Sequence, residues 1–548
     1  MTKRILVILA LLLIGTSVRA QDNFSIPVDN WTYGVIQQLQ NRGYLLDLSP
    51  GFKPYRRIQV ARALENLKAH TNLSKIPRAD GWLIRKLDEE FASDMSFIQA
   101  KQSNPDTSFV GARFSEEVFA NVAKGEYQTF KYASKAEFRP LVRSEFGFDI
   151  GNHLSLYTDA TVNQTLKDDT LYTGFTKFGL DALHQQAYVR YSDSRFDFTF
   201  GRDYLSWGYG NNGTVLISTT PGALDLASLF VSTHVVKFNW FVAQLNQMPE
   251  FTNDTTKYSP VGGQGNPPMA NRYLTGSRFE FNIGDKVYLG AYQAGVFGGP
   301  NAPVDLELIN PLRLTYENEA NSGKDVNAFL GADISVFWPK DFNFYGDLMI
   351  DDWQVDHKTV GDLKPNLYSF DLGFHAANIL SGFGISGTDA NLQYMMVRNR
   401  VYNEYNWASF EKLMLRNYPI ATPYGDDFWN LDLRLTHWLT YEWNVGIEAM
   451  HLEHGSQNFN GPYTMPWIMD PSITVATGYT EPFPYGTVQS TNLFNASVLY
   501  QPERYLYGQA TLSYSQNHNY QYSPGLDKGV FSFLLTIYYN FAATVPFQ

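Results

Sequence analysis

From Ser108 onward the chain keeps a two-residue period, with one face aromatic or aliphatic and the other polar or charged. Phe196, Phe198 and Phe200 alternate with Arg195, Asp197 and Thr199. Phe279, Phe281 and Ile283 alternate with Arg278, Glu280 and Asn282, and Leu431, Leu433 and Leu435 with Asp432, Arg434 and Thr436. Near the C-terminus Phe531, Phe533, Leu535, Ile537, Tyr539 and Phe541 share one face. Successive side chains of a strand point to opposite sides, so each run is a strand with one greasy and one polar face. A soluble sandwich would bury the greasy face in a core; a membrane barrel turns it to lipid and keeps the polar face in a wet lumen. Strand length and charge favour the barrel. The run from Lys528 to Phe541 covers about fourteen residues, where soluble strands average about 5–6, and its polar partners elsewhere are rich in charge.

Roughly seventeen or eighteen such strands follow Ser108, and bacterial barrels close with an even number. The expected fold is therefore an all-β transmembrane barrel of about 18 antiparallel strands over residues 105–548, with a small N-terminal α-helical periplasmic region over 21–104. Aromatic residues are abundant (35 Tyr, 39 Phe, 11 Trp). Those near strand ends, at Trp338, Trp353, Tyr500 and Tyr538-Tyr539, suit interfacial girdles. There is no cysteine, so a closed hydrogen-bond ladder must supply the stability that disulfides give many exported chains. Gly151-Asn152 and Gly284-Asp285 read as tight turns. Residues 249–271, 402–427 and 455–489 read as long, outward-facing loops, the second with a short helix around Phe410 to Leu415.

The first twenty residues read as a secretory signal peptide. Lys3 and Arg4 precede the apolar run Ile5 to Ile14, and Val18-Arg19-Ala20 offers a cleavage site. Ten apolar residues are too few for a spanning helix, which needs about 20. Beyond them, Trp31, Val35 and Leu39 recur at helical spacing up to Gly43. A second helix is expected from Arg56 to Ala69, and a third carries Leu83, Leu87, Phe91 and Met95. Val28-Asp29-Asn30-Trp31, Arg42-Gly43-Tyr44-Leu45, Phe52-Lys53-Pro54 and the helix from Arg56 to Leu64 resemble one S-layer-homology unit. Such units hold cell-wall polymers, so the resemblance implies peptidoglycan as a partner of this region. The same helices would equally serve as a cap or plug packed on the barrel.

The net charge of −12 grows more negative once the three basic residues of the signal segment are removed. This excludes general nucleic-acid binding, which needs a basic face. The most distinctive stretch is Gly201-Arg202-Asp203-Tyr204-Leu205-Ser206-Trp207-Gly208-Tyr209-Gly210, followed by Gly213-Thr214-Val215-Leu216-Ile217-Ser218. With Leu306 to Leu312 and Phe344 to Asp352, it resembles the capsule-assembly (Wzi) family of outer-membrane barrels over roughly residues 105–548. That resemblance implies a plugged barrel that helps attach or export capsular or other surface polysaccharide, in an outer membrane with lipid and lipopolysaccharide around it.

Sugar recognition uses aromatic faces and planar hydrogen-bonding groups. Arg202, Asp203, Trp207 and Tyr209 supply these types, as do Tyr463 and Trp467 in the 455–489 loop. The competing readings are an Arg202–Asp203 salt bridge inside the lumen and loop aromatics packed over the barrel mouth. Enzymatic signatures are poor. His451 and His454 lie three apart in a strand and point to opposite faces, so no metal site is expected. Gly382 to Gly387 lacks the nucleophile-elbow spacing, the glycines at 262, 263 and 265 precede no Lys-Ser or Lys-Thr pair, and Asp351-Asp352 suits a polar lumen or rim. No cofactor is expected. A diffusion porin or solute-uptake channel is the alternative function; an outer-membrane hydrolase would need a Ser-His pair on neighbouring strands. The targeting reading predicts that mass spectrometry of the exported protein finds an N-terminus at Gln21; an intact Met1 in the membrane fraction would contradict it.

Overall fold

A computed structural model describes residues 23–103, 110–124, 126–127, 130–131, 137–150, 153–163, 174–193, 195–211, 213–249, 269–416, 418–457 and 459–547. Eighteen antiparallel strands close a barrel. They are β1 (Val110–Lys124), β2 (Glu137–Ile150), β3 (Leu154–Asn163), β4 (in two pieces, Asp181–Leu183 and Ala187–Ser192), β5 (Phe196–Asp203), β6 (Leu224–Ser232), β7 (Val236–Pro249), β8 (Met269–Ile283) and β9 (Val287–Pro300). There follow β10 (Asn327–Val336), β11 (Phe342–Asp352), β12 (Leu367–Ala376), β13 (Thr388–Val397), β14 (Phe428–Trp438), β15 (Trp443–His454), β16 (Gln489–Glu503), β17 (Leu506–His518) and β18 (Lys528–Phe547). β18 pairs with β1 along the whole of β1 and seals the cylinder.

The alternation sorts as the sequence pattern requires. Phe196, Phe198 and Phe200 face outward, whereas Asp197 and Thr199 are buried. Phe279 and Phe281 lie outside while Arg278 and Glu280 are fully enclosed. One girdle assignment needs correction: Tyr539 faces outward, but Tyr538 is buried and donates to Glu117 Oε1 (2.8 Å). Adjacent strand residues cannot share a face.

Connections of one parity are short, the longest being 377–387 between β12 and β13. Gly284 and Asp285, both at positive φ, make the β8–β9 turn; the turn expected at Gly151-Asn152 falls outside the described residues. Four helices pack at this tight-turn end: α1 (Thr32–Asn41), α2 (Arg57–His70), α3 (Arg78–Glu90) and α4 (Ala92–Ser103). Gly43, at φ +81°, ends α1's run. The helix expected to carry Leu83 through Met95 is two helices, broken at Phe91. Their shared core includes Val35, Leu39, Leu64, Leu83 and Phe91, with Trp438 of β14 joining it. Arg42, fully buried, clamps the module to the wall through Asp80 (2.8 Å) and Asp389 of β13 (2.7 Å).

The long connections do not all face outward. The described residues of 204–223, between β5 and β6, and of 398–427, between β13 and β14, turn into the lumen. There Trp207, Val215, Ile217, Tyr402, Leu413 and Ile420 pack against inward-facing Phe241, Leu245, Phe329, Met349 and Val397. From the other end Phe52 pairs with Trp207 in a two-residue ladder. The described residues therefore pack the loop-end half of the lumen with protein, and the expectation of an outward 402–427 loop is corrected. The short helix expected at Phe410 to Leu415 is a 3-10 turn over Asn406–Glu411, followed by a small ladder of Met414–Leu415 with Tyr418–Pro419. Of the loop expected at 249–271, residues 250–268 lie outside the described residues, and β8 begins at Met269.

One connection folds down the outside. Residues 301–326, between β9 and β10, drape over the outer face of β7–β9. Trp240 Nε1 donates to the Ile309 carbonyl (2.9 Å), and Gln293 donates to the Arg313 carbonyl (2.7 Å) and accepts from Thr315 N (2.9 Å). Outward-facing Thr275 and Ser277 are buried beneath it, while Leu306 and Leu312 stand exposed on top at 79% and 80%.

Replacing Arg42 with Met leaves Asp80 and Asp389 buried without their cation, a loss of about 3–5 kcal/mol for a broken buried pair. Limited proteolysis of the detergent-solubilised variant should cleave the helical module several-fold faster while the barrel keeps its heat-resistant gel mobility. Equal cleavage would show that the clamp is not what holds the module.

Candidate functional site at the loop end

The fold does not bring together the six residues singled out from the sequence. Arg202 and Asp203 do not pair with each other. Arg202 points outward and grips Asp225 with Nε (2.8 Å) and Nη2 (2.6 Å). Asp203 points inward and accepts from Arg190 Nη2 (2.7 Å), Gln186 Nε2 (2.7 Å) and Ser25 Oγ (3.0 Å). The expected Arg202–Asp203 bridge is corrected for the same reason as Tyr538: neighbours on a strand face opposite ways.

Trp207 and Tyr209 are buried mid-lumen. Trp207 Nε1 donates to Asn239 (2.9 Å), and Tyr209 donates to Asp333 (2.9 Å). Asp333, Asp347 and Asp371 are direct cross-strand partners on β10, β11 and β12. The turn through Gly208 and Gly210 lies against this row. A Cβ on Gly210 would stand 2.5 Å from Asp371 Oδ2, and one on Gly208, at φ +109°, 3.2 Å from Asp347 Oδ2. The Trp-Gly-Tyr-Gly motif is thus what lets backbone approach a carboxylate row. The row is hydrogen-bonded by protein: Arg278 holds Asp333 with both terminal nitrogens, Tyr292 donates to Asp347, and Gln393 donates to Asp371 (3.0 Å).

Tyr463 and Trp467 belong to the cap over the loop end, where they are buried at 2% and 0% exposure. Tyr463 packs on Tyr405 (4.8 Å between ring centres), and Trp467 on Tyr479 (5.9 Å). The organising residue is Arg400, at the head of the 398–427 segment and fully buried. Its Nη1 meets Glu481 (2.6 Å), its Nε donates to the Thr464 carbonyl (2.7 Å), and its guanidinium lies 5.1 Å from the Trp467 ring. Lys412 Nζ donates to the Gly461 carbonyl (2.6 Å), and Asp427 accepts from Tyr485 N (2.9 Å). Sequence reasoning missed Arg400, Lys412 and Asp427; the one available signal was a set of charges, Arg398, Arg400, Lys412, Asp426 and Asp427, inside an aromatic loop. Above the buried layer Ile468 and Met469 are exposed at 52% and 73%, with exposed Asp470, Ser472 and Thr474–Thr477 hydroxyls beside them.

A sealed cylinder of strands with a greasy exterior, its bore filled from both ends, defines the class: a plugged outer-membrane β-barrel. The sequence pattern of the capsule assembly protein Wzi family matches residues 122–530, well over half of the chain, and the protein belongs to that family. Among solved structures it is similar to Wzi of Escherichia coli, an outer-membrane protein of group 1 capsule assembly described as a carbohydrate-binding β-barrel. That likeness covers 97% of this chain and 100% of the other, at 14% identity and a TM-score of 0.58. Pseudomonas aeruginosa OprD and Acinetobacter baumannii OccAB4 match 80% of this chain, and 97% and 100% of their own, at 9% identity and TM-scores of 0.43 and 0.44. No curated protein sequence matches the chain.

Burial pushes the Asp426 carboxyl up to about 7 and, with the like charge of Asp426 beside it, Asp427 to about 8. Both folded values exceed the ordinary carboxylate value of about 3.9. The folded cap therefore binds protons more tightly than the open one, and its stability falls as pH rises from the unfolded value through the folded values. Lys412, lowered to about 8 by burial, acts in the opposite sense only above that pH. Protease protection of residues 455–488 should accordingly decline between about pH 5 and about pH 8, and Asp427→Asn should flatten the decline. A pH-independent wild type would contradict the assignment.

Proposed function

We propose that this protein is a non-catalytic outer-membrane barrel that assembles and retains capsular or related surface polysaccharide by binding the polymer at its loop-end cap. In this reading the tight-turn end and the helices face the periplasm and the cap faces outward, the usual orientation of such barrels. The carrying observation is a cap, tied to Arg400, that presents an exposed crown over 468–478 above a bore in which the described residues pack together. Tyr463 and Trp467 then serve as the anchor beneath the crown, and Trp207, Tyr209 and Asp203 hold the plug; polymer contact falls to the crown. Family membership and the likeness to a carbohydrate-binding barrel support the same reading. The helices, whose buried faces are spent on one another and on the barrel rim, suit a cap better than a peptidoglycan-binding module.

The channel alternative is disfavoured by the packed lumen. Deleting the gene should move polysaccharide from the cell surface into the medium. The wild-type gene should restore retention, and a gene whose 468–478 crown is replaced by Gly and Ser should restore it only in part. Unchanged retention in the deletion strain would overturn the proposal. In planar bilayers the purified protein should pass little current; steady porin-like conductance would favour the channel.

A further inference from the structure

The inner wall of the barrel is not covered equally all round. On β7–β11 the inward side chains are shut in: Arg278, Glu280 and Asp333 are fully enclosed, and so are Phe241, Leu274 and Met349. On β14–β17 the inward side chains keep contact with solvent. Arg434 on β14 and Glu448 on β15 have 30% and 20% of their side chains exposed. Asn495 and Ser497 on β16 and Thr511 on β17 are half-buried, and Gln509 on β17 is exposed. The lipid face of these strands carries their exposed neighbours Leu433, Ile447, Phe494, Val498 and Leu512, so the six polar residues point into the bore. A mid-strand side chain aimed into a closed cylinder is exposed only where the bore beside it is accessible. A chamber therefore runs along the β14–β17 wall.

Register draws the six residues into one patch. Arg434 and Glu448, Glu448 and Asn495, and Ser497 and Thr511 are direct cross-strand partners, whose Cβ atoms stand about 4.5–5.5 Å apart. Ser497 follows Asn495 by two residues and Thr511 follows Gln509 by two, each on the same face. Arg434 is shared between Glu448 (2.9 Å) and Asp432 (2.9 Å), and Asn495 donates to Glu448 (2.8 Å). No cation is left over for an acidic ligand, which would meet two carboxylates. Ser497, Thr511 and Gln509 make no side-chain hydrogen bond among the described residues. Each both donates and accepts, as sugar hydroxyls do. Next to Gln509 on the same face, Tyr507 is half-buried and stacks on Tyr538 with ring centres 4.5 Å apart.

We infer that this chamber is a second saccharide subsite, taking an uncharged sugar unit whose hydroxyls pair with Ser497, Thr511 and Gln509. The saccharide half of the inference rests on the proposed function; the chamber and its preference for an uncharged ligand do not.

The chain has no cysteine, so single replacements report access without background. In full-length protein in detergent, Gln509→Cys should react with a small water-soluble methanethiosulfonate. Ala243→Cys, inward on the covered wall, should react at least about tenfold more slowly, because a packed core is reached only by local opening. Glucose, galactose, mannose, glucuronate and glucosamine serve as probes. At least one neutral hexose should slow Gln509→Cys labelling saturably, and neither charged sugar should match it. Calorimetry should find the same hexose binding to the wild type, with Thr511→Val lowering its affinity at least about threefold, as for one lost hydrogen bond. Retained heat-resistant gel mobility would show that the variants fold. Equal reactivity of the two cysteines would remove the chamber. Labelling that no neutral hexose slows, equal protection by a charged sugar, or wild-type affinity in Thr511→Val would each overturn the ligand. The crown replacement leaves β16 and β17 intact, so the retention assay and these measurements can fail independently.

Discussion

Three aspartates in register on neighbouring strands stand side by side on one wall of the bore, and the architecture follows from how they are satisfied. Like charges directly opposite destabilise a sheet. A porin would leave such a row to water. Here Arg278, Tyr292, Tyr209 and Gln393 do that task. Tyr292 and Tyr345 reach inward only because Gly331 and Gly373, their cross-strand partners, leave room; a Cβ at Gly373 would sit 1.9 Å from the Tyr345 ring. Once those groups are spent on one another, the Trp-Gly-Tyr-Gly turn can lie on the row, and the apolar plug can build above it.

The plug divides the bore into unlike halves. Toward the tight turns the wall is charged and the N-terminal region meets it with charged and polar groups, as at Arg42 with Asp389 and Ser25 with Asp203. Toward the loops the inner wall is apolar, and the 204–223 and 398–427 segments fill it. Tyr402 joins them, its hydroxyl donating to the Val215 carbonyl (2.6 Å). The cap is then continuous with the plug, so the crown at 468–478 is supported down to mid-bore.

The barrel was legible because its exterior obeys one rule: every second residue of a strand meets lipid. Where the interior is also apolar the rule thins out. On β7, Phe241, Ala243 and Leu245 face in while Phe238, Trp240 and Val242 face out, and the period weakens without the strand ceasing to exist. The direction of a long loop left no local trace, since Tyr402 and Trp467 have the composition of ligand-binding aromatics and the burial of core residues. Arg42 was read as the end of a helix; its partner on β13 is 347 residues away in sequence, beyond any spacing argument. Arg202 and Asp203 are neighbours in sequence yet take partners on opposite sides of the wall, which adjacency in sequence does not reveal.

The flap over β7–β9 hides Thr275, Ser277 and Gln293 from hydrocarbon and carries charges of its own, with Arg313, Glu307, Lys324 and Asp305 bridged on its surface. A cylinder so equipped is not the same from every azimuth. Most of its circumference offers a plain hydrocarbon wall, and one sector offers leucines set among ion pairs. Anything diffusing in the plane of the bilayer meets a barrel with a distinct flank, so side-by-side arrangements on the cell surface are angularly selective.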